Sequence, residues 1–183
     1  MTHLSFSFVL LLGIRYNSFS IVMITYMPYN FNIGITNTPG GVDGAIHTAA
    51  GPKLLAVCRT LAGCATGEAK ITRGYQLSAP WVIHTVGPIW RGGGHDEDIQ
   101  LARCYQNCFL LAVRHEITTI AFPAISTGTY RFPPARAAKI AVRETRRFLE
   151  SQLAIQKVIF VCFNEVTLDG YRKVLAEQSR GTA

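Results

Sequence analysis

The sequence predicts an α/β domain with a largely parallel sheet covered by helices on both faces. Two observations carry this. First, Thr119–Ile125 (TIAFPAI) and Lys157–Phe163 (KVIFVCF) are near-continuous apolar runs of strand length. Strands buried on both faces read this way. Second, Pro134–Leu149, between them, puts Ala137, Ile140, Ala141 and Phe148 on one face of a helix. Strand, helix and strand make a βαβ unit, whose crossover is right-handed. Alternation of this kind implies a parallel sheet, and ligands of such sheets bind beyond the carboxyl ends of the strands.

Taken in order, the chain opens on a segment unlike the rest. Arg15 is the only formally charged residue before Asp43. Leu4–Ile14 is apolar like a signal-peptide core, but it lacks a basic flank and a small-residue cleavage site. Ser20–Met27 and Asn32–Thr36 have strand composition. Asp43 is placed to cap a short helix running to Ala50. Gly51-Pro52 interrupts, and Pro52 introduces a second helix over Lys53–Leu61. Gly67–Thr72 and Trp81–Val86 are expected strands. His95-Asp96 opens an amphipathic helix to Arg114, with acid in its first turn as the helix dipole favours. Thr167–Gln178 closes the chain as a helix.

Composition narrows the class. A chain of 183 residues, 49% hydrophobic, fits one globular domain. No apolar run reaches membrane-spanning length, so no membrane partner is expected. The formal charge of +7 and pI near 9.4 suit an anionic partner, or simply a basic surface; nucleic acid is not the expected ligand. The five cysteines form no C-x-x-C pair, and Cys104 and Cys108 share an apolar helical stripe with Leu101, Tyr105, Leu111 and Ala112. Buried thiols in a reducing cytoplasm are expected, with neither metal nor cofactor. His47, His84 and His115 are scattered, and His84 reads as a packed or solvent-facing residue of its strand and not as a ligand. Arg143, Arg146 and Arg147 read as a solvated helix face, and Arg91-Gly92-Gly93-Gly94 as a flexible turn, a connector more readily than a ligand-adjacent loop.

Two segments carry chemistry. In Gly40-Gly41-Val42-Asp43-Gly44-Ala45-Ile46, glycines without Cβ let backbone amides press against a ligand. The helix that follows adds a positive partial charge. Such a turn suits a phosphate, and the Asp43 carboxylate must then face something else. The second segment, Ser126-Thr127-Gly128-Thr129-Tyr130, follows a strand and precedes a helix. Its amides can serve a second set of phosphate oxygens. Together the two loops form a diphosphate clamp. There is no P-loop, no G-x-G-x-x-G after a strand and no G-x-S-x-G elbow.

Five ordered motifs resemble a macro domain of the MacroD type: GGVDGAIHTAAGP (40–52), TGEAKITRGY (66–75), VIHTVGPIW (82–90), AFPAISTGTY (121–130) and VIFVCF (158–163). The likeness spans residues 39–178, leaving an atypical segment 1–38 and a short tail 179–183. It implies a three-layer α/β/α sandwich around a mixed sheet, and binding of ADP-ribose. It also implies hydrolysis: removal of ADP-ribose from acidic side chains of modified proteins, or deacetylation of O-acetyl-ADP-ribose. On this resemblance Gly40, Gly41, Val42, Gly44, Ala45 and Ile46 form the first loop. Asp43 faces the distal ribose as general base. Asn37 approximates an asparagine that orients that ribose. Ser126, Thr127, Gly128, Thr129 and Tyr130 cradle the diphosphate, and Phe163 packs on adenine.

There are departures from the family pattern. No acidic residue precedes Asp43 to read the adenine amine, and Arg131 stands where a small residue is usual. A non-catalytic ADP-ribose-binding module or an inactive homologue is therefore the alternative expectation. The abrupt loss of charge and motifs upstream of Gly40 suggests a non-homologous replacement of residues 1–38, through a shifted frame or alternative start. The encoding DNA upstream of Gly40, read in all frames, tests that.

Overall fold

The computed structural model describes residues 6–10 and 41–180. Strand β1 is Phe6–Leu10, followed by helices α1 (Gly41–Ala50) and α2 (Pro52–Thr60). Strands β2 (Ala69–Arg73) and β3 (Trp81–Thr85) come next, then α3 (Glu97–Arg114), β4 (Thr119–Pro123), α4 (Pro134–Ser151), β5 (Lys157–Cys162) and α5 (Glu165–Arg180). β1, β5 and β4 form a parallel sheet in that order. β2 and β3 pair antiparallel, and Thr66 bridges Val86 in parallel. Among the described residues parallel and antiparallel pairings are both present, in two sheets, with β4–α4–β5 as the βαβ unit of the parallel one. Phe6–Leu10, from the signal-like apolar stretch, is an added parallel strand on β5. The strands expected upstream of Gly40, Ser20–Met27 and Asn32–Thr36, lie outside the described residues.

Side chains on successive strand residues point to opposite faces, and here both faces are covered. Ile83, Ile120, Phe122, Val158, Phe160 and Cys162 join one core with residues of α3, α4 and α5. Val82, His84, Ala121 and Ile159 are buried outside that cluster. A second core, Ile46, Ala50, Leu54 and Cys58, lies between α1 and α2. This double burial is why the strand sequences are continuously apolar. Aromatic rings fill the larger core. Phe109 stacks on Phe148 with centroids 4.4 Å apart and meets Phe122 edge-on at 5.2 Å. Burying each such ring stabilises the fold by about 1.5–3 kcal/mol. Leu101, Cys104, Tyr105, Cys108 and Ala112 form the buried stripe of α3, and all five cysteines are buried and free.

Several boundaries differ from the sequence reading. α1 starts at Gly41, whose φ of +73° suits a glycine. Asp43 therefore sits inside the first turn and is not the cap. Gly41–Ile46 is helix, not loop. α3 starts at Glu97, after Asp96 in a left-handed conformation. α5 starts at Glu165 because the Asn164 side chain accepts the Thr167 amide at 2.9 Å, a cap the sequence reading passed over.

Candidate functional site

The carboxyl ends of β4 and β5 lie side by side, with Pro123 paired to Val161. The Ser126–Tyr130 loop and Phe163 therefore share one edge of the sheet. The loop is held from both sides. Phe132 N–H donates to Ser126 O at 3.0 Å, Arg131 N–H to Gly128 O at 2.9 Å, and Thr127 Oγ1 to Ala124 O at 2.9 Å. Buried Phe132 anchors its far end. Ser126 and Arg131 both adopt left-handed φ, +65° and +57°. That conformation is costly for residues with a Cβ, so packing must hold them there. Within this frame, among the described residues, the amides of Gly128 and Thr129 donate to no backbone acceptor. A Cβ on Gly128 would meet open space. The loop thus leaves two exposed residues with amide donors at the carboxyl edge of the parallel sheet.

β3 joins this edge to α1. Its His84 is fully buried, with Nε2 2.8 Å from Thr72 Oγ1 and 3.9 Å from Cys58 Sγ of α2. Burial, reinforced by His47 nearby, pushes the His84 pKa down to about 3. Of the two placements expected for this histidine, packed or facing solvent, the structure has the packed one. Three residues on, Gly87 abuts the loop: a Cβ would lie 2.1 Å from Ser126 Oγ and 2.7 Å from Ile125 Cγ2. Gly87 is a site-shaping residue that sequence reasoning missed.

On α1, the Asp43 carboxylate is buried, with 7% of the residue exposed. His47, one turn on, brings Nε2 to 3.8 Å from Asp43 Oδ1, and burial lowers the His47 pKa. The ring thus stands beside a carboxylate shielded from water, at a separation longer than a hydrogen bond. Reading the histidines as scattered missed it, although four residues is one helical turn. The Asp43 charge also reaches Cys58, whose thiol is raised to about 11 by burial and then by that carboxylate. Val42 and Gly41 are exposed on the same first turn, Gly44 and Ile46 are buried, and Ala45 is exposed. Phe163, just past the end of β5, is 78% exposed, and Val166 on α5 is 70% exposed. An exposed aromatic at a ligand edge offers a stacking face. Asn37 and Gly40 lie outside the described residues. Among the described residues no three metal-ligating side chains converge.

Residues 32–141 match the family model described as Macro domain. The chain belongs to the macro domain family. It is 59% identical over 137 residues to a macro domain-containing protein of Chlorobaculum tepidum, covering 75% of this chain and 80% of that one. It is 50% identical over 143 residues to an O-acetyl-ADP-ribose deacetylase of Salmonella newport, covering 76% and 80%. Its structure resembles a Trypanosoma brucei macrodomain solved in complex with ADP-ribose, with TM-score 0.74 and 39% identity over 86% of this chain and 63% of that one. This macro domain therefore has the α/β sandwich that its sequence predicts.

Proposed function

We propose that this macro domain binds ADP-ribose and hydrolyses its esters, acting on O-acetyl-ADP-ribose or on acidic side chains carrying ADP-ribose. The observation that carries this is a buried carboxylate, Asp43, on the first turn of a helix entered through glycine, with His47 beside it. In this reading the amides of Gly128 and Thr129 hold the diphosphate and Phe163 stacks on adenine. Ser126, Thr127 and Tyr130 shape the cradle, and Gly40, Gly41 and Val42 approach the ribose and its phosphate, with Asn37 orienting the ribose. Asp43 accepts a proton from a water whose oxygen bonds to the ester carbon. The ester C–O bond breaks, its oxygen leaves with a proton, and the products are a carboxylic acid and an alcohol. Positioned general-base catalysis contributes about 10²–10⁴-fold, and the aligned donors supply the rest. Five buried free thiols support a reducing, cytoplasmic setting.

A second reading, an ADP-ribose-binding module without turnover, is favoured by the lack of an acid upstream of Asp43. Calorimetry with ADP-ribose, followed by release of acetate from O-acetyl-ADP-ribose and of ADP-ribose from a glutamate-modified protein, separates the two. Asp43→Ala is expected to lower turnover by about a hundredfold or more while ADP-ribose still binds. Tight binding by the wild type with no turnover of either substrate establishes the second reading instead.

A further inference from the structure

Helices α3 and α4 lie side by side and run in the same direction. Arg136 donates to Asp98 at 2.8–3.1 Å and joins their first turns. Further along both, Gln106 Nε2 donates to Glu144 Oε2 at 2.7 Å. Asp98 and Gln106 are separated by about 12 Å, at 1.5 Å per residue. A cavity of about 320 Å³ opens along this seam, the size at which sites for small organic ligands begin. None of its lining residues belongs to α1, to the Ser126–Tyr130 loop or to the end of β5. It is therefore separate from the ADP-ribose site proposed above and does not rest on that reading.

Three guanidiniums line the cavity, Arg103 of α3 and Arg143 and Arg147 of α4, together with a buried acid. Glu144 is 3% exposed. A buried carboxylate is costly unless its oxygens are engaged. Here Oε2 accepts from Gln106, and Oε1 accepts from Arg143 Nε at 2.7 Å. That bond uses one of the five N–H groups of Arg143, and the side chain is still 57% exposed. Arg143, read from the sequence as part of a solvated face, is thus pinned by its inner nitrogen with its terminal nitrogens left at the surface.

The charges along the seam do not balance. Asp98 is held by Arg136 and Glu144 by Arg143. Arg103 and Arg147 make no ion pair among the described residues. Two uncompensated guanidiniums are matched by a dianion and not by a single carboxylate. Their planar forks suit phosphate oxygens. Ile99, 52% exposed, and Ala102 add an apolar wall that can cover an organic body attached to the phosphate.

We propose that the α3–α4 cavity is a second anion site, which takes the phosphate dianion of a small organic phosphomonoester between Arg103, Arg143 and Arg147, with the organic part against Ile99.

The probe is phenyl phosphate, a dianion above its second pKa of about 6. It is titrated at about pH 8 while backbone and arginine Nε–H signals are followed by NMR, with and without excess ADP-ribose. Signals of Ile99, Arg103, Arg143 and Arg147 are expected to move alike in both titrations. Arg103→Gln and Arg147→Gln should each weaken binding by about tenfold, the scale of one charge-assisted contact. Lys139→Gln, which removes an exposed α4 cation outside the cavity, should leave it unchanged. Inorganic phosphate, which lacks the ring, and phenyl sulfate, a monoanion, should each bind more weakly than phenyl phosphate. Equal affinity for either one overturns the proposal. So does equal weakening by Lys139→Gln, which would mean a diffuse positive surface. Shifts confined to Gly128 and Thr129 and abolished by ADP-ribose overturn it as well. A single-stranded oligonucleotide or a glutamate-rich peptide that moves the α3–α4 signals at lower concentration than phenyl phosphate would show a macromolecular partner instead. Because the signals are assigned residue by residue, a protein that fails to bind ADP-ribose answers the question equally well.

Discussion

At the scale of single residues, the ligand edge depends on what a side chain would displace. Gly87 is the sharpest case, because a Cβ there would lie 2.1 Å from Ser126 Oγ. Ile125 Cγ2 would also lie at 2.7 Å, so turning the Ser126 hydroxyl aside relieves only part of the clash. Gly87→Ala is expected to destabilise the fold by about 1–3 kcal/mol, the usual cost of overpacking. It should also weaken ADP-ribose binding by moving the loop that presents the Gly128 and Thr129 amides. Urea unfolding and calorimetry measure both. Unchanged stability with unchanged affinity would mean that Ser126 relocates freely. The sequence marked Ser126–Tyr130 through its position after an apolar strand. It could not mark Gly87, because the clash is with a residue 39 positions away. His47 was legible in principle, being one turn from Asp43, but that requires the helix to begin at Gly41. Reading the helix from Asp43 onward made the aspartate a cap and hid the pair.

At the scale of elements, types were legible and ends were not. Every helix and strand expected from residue 40 onward is present, because apolar period and length fix the type. Ends depend on single contacts. α5 starts two residues early through the Asn164 cap, and α3 starts two residues late because Glu97 turns back to hold the preceding segment. Composition made Arg91–Gly94 look like slack chain, since glycine runs signal flexibility and nothing local shows a carboxylate folding back. Glu97→Gln tests that hold. Its amide nitrogen cannot accept, so one or more of the Arg91, Gly93 and His95 amides loses its acceptor. Hydrogen exchange at these amides should accelerate by about tenfold, the consequence of one lost buried hydrogen bond. Exchange in β4 and β5 should stay unchanged. Uniform acceleration across the domain would show general destabilisation and not a local latch.

At the scale of the molecule, two cores lie on opposite sides of β3, and the proposed function requires them to hold α1 and the Ser126–Tyr130 loop toward one ligand. His84 is the polar group placed between them, bonded to Thr72 and close to Cys58 and His47. Its folded-state pKa near 3 lies below the ordinary 6.5. Between those values the unfolded chain takes up a proton that the folded chain refuses. The His84 contribution to stability is therefore complete above pH 6.5, erodes as pH falls and is exhausted near pH 3. One such proton makes stability fall by at most about 1.4 kcal/mol per pH unit. Glu97 is also depressed, from 4.5 to about 2, and its contribution is lost only below its ordinary value. The interval from pH 6.5 to 4.5 therefore isolates the histidines from that carboxylate. His47, lowered by burial as well, adds to the slope in the same interval. Urea unfolding at intervals across this range should give a steep loss of stability for wild type and a shallower one for His84→Gln, with the remainder due largely to His47. Parallel curves for the two proteins would mean that acid enters through groups other than the histidine joining the two cores.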